Sequence, residues 1–130
     1  MSAERDAIVA AQYVALTTYR RDGTPVTTPV WAAAEGESLY IFSNPHAGKV
    51  KRLRNSSRAA IAPCTATGKV TGTELRAEAF IVPVDLMPKV WALLIAKYGL
   101  AARLFAAYDW VRTRLRLAPS AGIVVRVSAE

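Results

Sequence analysis

Tyr13 to Arg20 alternates apolar and polar positions and is rich in Tyr, Val and Thr, which predicts a half-buried strand. Asp22-Gly23 follows, a dipeptide suited to the backbone of a tight hairpin turn, and Val26 to Ala34 reads as the returning strand. Within it, Thr-Pro-Val-Trp places a residue without an N–H, Pro29, so this strand belongs at a sheet edge or beside a bulge. Glu35-Gly36-Glu37 turns the chain again, and Leu39 to Ser43 completes a meander of three strands. Ser43, Asn44 and Pro45 then form a helix-start signal, because Asn caps free N–H groups and Pro tolerates the first helical position. The short basic helix that follows ends near Asn55, with Val50 and Leu53 spaced to pin one face to a core.

Arg58 to Thr65 is a fourth strand, Thr67 to Gly72 a turn, and Thr73 to Val84 a long fifth strand. Alternation puts Leu75, Ala77, Ala79 and Ile81 on one face of that strand and Arg76, Glu78 and Phe80 on the other. Asp85 is the expected N-cap of a helix from about Leu86, with Pro88 in its first turn. Tyr98-Gly99 breaks that helix, and a second helical segment runs from about Leu100 to Leu117 until Pro119 stops it. Gly122 to Ser128 is a sixth strand, and residues 3 to 11 form a short N-terminal helix. The expected fold is mainly β with helices (α+β): six mostly antiparallel strands in a small barrel, with the late helical pair packed on it or on a partner. Closing a barrel would remove exposed strand edges.

At 130 residues this is one domain, residues 1–130, long enough to bury a core without disulfides or metal. The single cysteine, Cys64, cannot form an internal disulfide, which fits a reducing cytoplasm; its plain reading is a small buried strand residue. One His, one Cys and scattered carboxylates make no metal site. The start lacks the apolar run of a secretory signal. Val90 to Ala107 is very apolar, but Lys97, Gly99 and Arg103 interrupt it short of the ~20 residues of a membrane span. With Trp91, Leu93, Leu94 and Ile95 all round it, the segment Val90 to Ala96 needs cover on more than one side, which points to a homodimer.

Charge changes the picture more. The net charge is +7, with five basic residues between Lys49 and Arg58 and no acid among them. Five more lie between Lys97 and Arg116, offset only by Asp109. That pattern fits an anionic partner: nucleic acid, acidic lipid, or a small phosphorylated and carboxylated ligand. A helix N-terminus with Lys49 beside it suits a phosphate, although a solvated basic face explains the same spacing. Against nucleic acid, Tyr13, Tyr19, Trp31, Tyr40 and Phe42 alternate with apolar neighbours rather than interleaving with the basic run. His46 has no acid near it in sequence and reads as a loop residue, so no triad is assembled and no residue is assigned as catalytic. An enzyme built this way would leave the chemistry to a cofactor.

The runs Tyr13-Val14-Ala15-Leu16-Thr17-Thr18, Arg21-Asp22-Gly23, Pro29-Val30-Trp31, Lys49-Val50-Lys51-Arg52-Leu53-Arg54-Asn55 and Ala62-Pro63-Cys64 occur in a characteristic order. In that order they resemble the split β-barrel flavin/deazaflavin oxidoreductases related to pyridoxamine 5′-phosphate oxidases, most of all the small actinobacterial enzymes of the FDOR-B type that use coenzyme F420. Lys97-Tyr98-Gly99 and Ile123-Val124-Val125-Arg126-Val127 extend the similarity over nearly the whole chain. The resemblance implies an FMN-binding-protein-like split barrel, a cytoplasmic homodimer with cofactor sites at the subunit interface, and hydride transfer between reduced F420 and a small organic acceptor. FMN is the alternative cofactor, and a non-catalytic F420 carrier the alternative role. Carried onto this chain, Thr28, Pro29, Val30 and Trp31 line the ring, and Ser43, Lys49 and Lys51 hold the phosphate end. Arg54 counts with the binding residues, and Pro63 and Cys64 lie on the adjacent strand. The helical region from Leu86 to Leu117 is longer than in the simplest members.

Overall fold

The computed structural model describes residues 3–43, 47–115 and 121–127. Its strands are β1 (Tyr13–Tyr19), β2 (Pro25–Val30), β3 (Ala32–Glu35), β4 (Ser38–Ser43), β5 (Arg58–Cys64), β6 (Leu75–Val82) and β7 (Ala121–Val127). Its helices are α1 (Ala3–Ala10), α2 (Gly48–Asn55), α3 (Met87–Tyr98) and α4 (Leu100–Arg114). The strands form one antiparallel sheet in the order β2-β1-β5-β6-β7-β4-β3.

The expected strand Val26 to Ala34 is two strands, which corrects the count from six to seven and replaces the meander with two hairpins at opposite edges. Pro29 accounts for the first half. It pairs opposite Ala15 on β1 but has no N–H to offer a second neighbour, so β2 stays at the edge. Only Trp31 separates β2 from β3, so the two outer edges of the sheet come within about 7 Å of each other there. The sheet therefore curls on itself. No ladder joins β2 to β3 among the described residues, so the seam is open rather than closed as a barrel.

Inside the curl lies an apolar core that includes Val14, Leu16, Leu39, Ile41, Ile61, Ile123 and Val125, with Ile8 of α1 and Leu53 of α2 added to it. Each such side chain stabilises the fold by roughly 1.5–3 kcal/mol on burial. The alternation read along β6 holds: Leu75, Ala77 and Ala79 are buried, while Arg76, Glu78 and Phe80 are exposed.

A second core lies outside the curl, where Val90, Trp91 and Leu94 of α3 pack with Ala33, Val82 and Ala102. Val90, Trp91 and Leu94 thus find cover within the chain, from the sheet and from α4, while Leu93 and Ile95 are only partly buried and Ala92 and Ala96 are exposed. Gly99, at φ +67°, turns α3 into α4, a backbone state that favours glycine. Two helix starts differ from expectation. Ala47 occupies the cap position of α2 without a side-chain bond, and Asn44, Pro45 and His46 lie outside the described residues. Asp85 sits in a 3-10 turn, Val84–Leu86, and Leu86 takes the cap position of α3. The turn postpones the helix by about one residue and leaves Pro88 in its first turn.

Candidate cofactor-binding site

A cavity of about 400 Å3 opens where the sheet edges meet. Tyr13 of β1, Pro29, Val30 and Trp31 at the end of β2, and Phe42 and Ser43 of β4 form much of its wall. Ala47 and Lys49 at the start of α2, and Phe105 of α4, complete it. Its volume lies in the range of ordinary small-molecule sites.

One side is aromatic. Trp31 meets Phe105 edge-on at 5.4 Å and Phe42 edge-on at 6.1 Å, and Phe42 lies 5.5 Å from Phe105. Such contacts favour one arrangement of rings over a loose apolar patch. Trp31 is itself held from behind by Tyr98, stacked at 4.5 Å. At the α2 end, Lys49 is half-buried, and burial, with Arg52 nearby, pushes its pKa below the usual lysine value. An anion beside it would offset that cost. Ser43 is buried at the same end.

The remaining residues named from the sequence are spread more widely. Thr28 stands opposite Leu16, and its hydroxyl is buried without a hydrogen-bond partner among the described residues. Pro63 is buried and packs so tightly on Gly72 that a Cβ there would lie 2.6 Å from its ring. Cys64 is directly opposite Tyr13 in the ladder, one strand behind the cavity wall, and burial raises its thiol pKa. Arg54 is exposed and lines neither this cavity nor the next.

Lys51 belongs to a second cavity of about 610 Å3, shared with Arg20, Arg21, Arg52 and Arg58 and lined by no carboxylate. Its arginines are positioned: Arg52 Nε donates to Thr18 Oγ1 (2.6 Å), and the Arg58 guanidinium stands 3.9 Å over the Tyr19 ring. Tyr13 and Tyr19 mark opposite ends of β1, about 20 Å apart, so the two cavities are separate. Helix α2 bridges them, with Lys49 in one and Lys51 and Arg52 in the other.

Sequence reasoning did not place Phe105 in the site, nor Arg20 and Arg21 in a basic cavity. Helical period marks Phe105 as apolar without saying which strand it meets. The Arg20-Arg21 pair beside a hairpin turn was the available signal for the second cavity. Among the described residues no helix is long and apolar enough to cross a membrane, and no cluster of His, Cys, Asp and Glu could hold a metal ion.

A curled antiparallel sheet carries a cavity at its seam, lined by aromatic rings and by Lys49. The family described as pyridoxamine 5′-phosphate oxidase matches residues 1–128, and the chain belongs to that family. Among solved structures, an F420 reductase is similar at 22% identity and a TM-score of 0.66, covering 99% of this chain and 96% of that one. HutZ, the heme storage protein from Vibrio cholerae, is similar at 13% identity and a TM-score of 0.68, covering 97% and 88%. The protein Atu2129 of unknown function from Agrobacterium tumefaciens is similar at 18% identity and a TM-score of 0.67; 97% of this chain spans 52% of its length. At these identities the likeness is one of fold. No curated protein sequence matches the chain.

Proposed function

We propose that the chain is an oxidoreductase of the F420-dependent FDOR-B type, passing a hydride between reduced deazaflavin and a small organic acceptor. One observation carries the reading: a single cavity joins an aromatic wall of Trp31, Phe42 and Phe105 to the half-buried Lys49. That donor set fits a flat ring at one end and a phosphate at the other. When bound, the deazaflavin supplies the carbon that gives or takes the hydride.

The chain's own residues bind and orient. Lys49 and the first N–H groups of α2 hold the phosphate by charge-assisted bonds. Backbone groups from Thr28 to Trp31 flank the ring, and Phe105 excludes water from it. Lys51, Arg52 and the rest of the basic cavity offer cations to the carboxylates that F420 carries beyond its phosphate; Arg54 adds charge from the same helix. Pro63 and Cys64 support the wall from the neighbouring strand. In this reading the working unit is a cytoplasmic homodimer with cofactor sites at the subunit interface. FMN in place of F420, or F420 carriage without turnover, uses the same cavity.

The absorption spectrum and mass of the small molecule retained by the purified protein test the reading. A deazaflavin spectrum with the matching mass supports it. Retained FMN or haem, with no F420 taken up on addition, overturns it.

A further inference from the structure

Apart from Phe105, which joins the cavity wall, helix α4 turns its large apolar side chains away from the protein. Leu100, Leu104, Tyr108 and Val111, with Leu115 at the residue after the helix, follow one another at intervals of four, four, three and four, which places them along one face. They are 72%, 64%, 63%, 44% and 67% exposed, whereas the one buried residue of the helix is the small Ala102. This reverses the usual amphipathic arrangement, in which the large apolar residues face the core. Arg112 flanks one side of the face, and Arg103 and Arg114 the other, by their places in the helical turn. Arg112 lies 5.8 Å from the Tyr108 ring and Arg114 lies 5.2 Å from the Trp110 ring, which sets cation and aromatic side by side at the rim.

We propose that this face of α4 docks on the surface of an anionic lipid bilayer, lying in the interface without crossing it. Leucines enter the acyl boundary, Tyr108 and Trp110 sit at headgroup depth, and the arginines meet lipid phosphates. Charge favours this occupant over the same helix face of a second copy of the chain. Asp109 is the only acid on the helix, so two copies packed face to face would bring Arg103, Arg112 and Arg114 against their own kind. An anionic surface gains from the same three charges and from the net charge of +7. The proposal is independent of which cofactor the cavity holds.

Co-sedimentation with vesicles tests it, comparing phosphatidylcholine alone with phosphatidylcholine containing one-third phosphatidylglycerol. The full chain is expected to sediment with the anionic vesicles only, and less so as salt rises. Leu104→Glu should weaken binding at least about tenfold, and the Arg112→Gln/Arg114→Gln double variant by about five-fold for each arginine lost. All three residues are surface positions outside both cavities, so a folded protein with an unchanged melting temperature is expected from each variant. Failure of the full chain to sediment with anionic vesicles overturns the proposal, as does unchanged binding by Leu104→Glu. If Leu104→Glu instead splits a dimer while vesicle binding is absent throughout, the face belongs to a second copy and the proposal is likewise overturned.

Discussion

Trp31 lies flat on Tyr98, with ring centroids 4.5 Å apart and planes within 7° of parallel. This pair fastens the end of α3 to the single residue at which the two edges of the sheet meet. The Tyr98 hydroxyl accepts from the Ala32 N–H (3.1 Å) and donates to the Gln12 carbonyl (2.8 Å), so it bridges the start of β3 and the residue before β1. Trp31 is consequently a wall of the cavity whose back is supported by a helix.

Tyr98→Phe keeps the stack and deletes the two hydrogen bonds. Ala32, which is fully buried, loses the partner of its N–H. The expected cost is about 1–3 kcal/mol, read as a lower urea midpoint with an unchanged slope. An unchanged midpoint would show that the hydroxyl contributes nothing at the seam.

Lys97, next to it, donates to three carbonyls, those of Val9 (3.0 Å), Ala11 (2.8 Å) and Ala32 (2.6 Å). Three donors on one ammonium match three acceptors from two segments, tying the end of α1 to the seam. Burial lowers the Lys97 pKa, yet the carbonyls are satisfied by it. Lys97→Met retains the apolar stem and should cost at least about 2 kcal/mol in the same urea experiment, because the acceptors are left behind.

Much of this arrangement was legible along the chain, wherever the controlling chemistry is local. Asp22-Gly23 makes its turn, with Gly23 at φ +90° and the Asp22 carboxylate accepting from the Thr24 N–H. The faces of β6 follow directly from alternation. What was not legible depends on distant partners. Pro29 marks an edge strand, but nothing near it states that the chain leaves for the opposite edge after Trp31. The Asn44 cap was a sound local expectation, but α2 starts only at Gly48. In the site, Pro29, Val30, Trp31, Ser43 and Lys49 converge on one cavity, while Phe105 is delivered to it by the packing of α4 on α3.

Lys49→Ala should weaken cofactor binding by roughly ten- to a hundredfold, the value of a charge-assisted contact, while the fold persists. Fluorescence titration measures this; equal affinity would remove Lys49 from the site.

The same lysine gives a pH dependence of known sign. Its pKa in the folded chain is depressed by burial and then by Arg52. Between that value and the higher one of the unfolded chain, the unfolded chain binds more protons, so Lys49 makes stability rise with pH across the window. Anion affinity runs the other way, falling as pH rises through the depressed value and starting below the pH at which an ordinary lysine titrates. Titrations on the alkaline side should show that fall in the wild type and not in Lys49→Ala.

Cofactor choice is the central claim, and paired titrations with F420 and FMN at low and high salt test it most directly. On the proposed reading, Lys49 and the start of α2 would serve a ribityl phosphate in either molecule, so they would not discriminate. The carboxylates beyond the phosphate of F420 are the difference, and Lys51, Arg52 and their neighbours in the basic cavity are the cations available to them. Exposed pairs contribute only ~0–1 kcal/mol each and are screened by salt. F420 should therefore bind more tightly than FMN at low salt, with the preference shrinking as salt rises. Tighter binding of FMN at both salts would contradict the account.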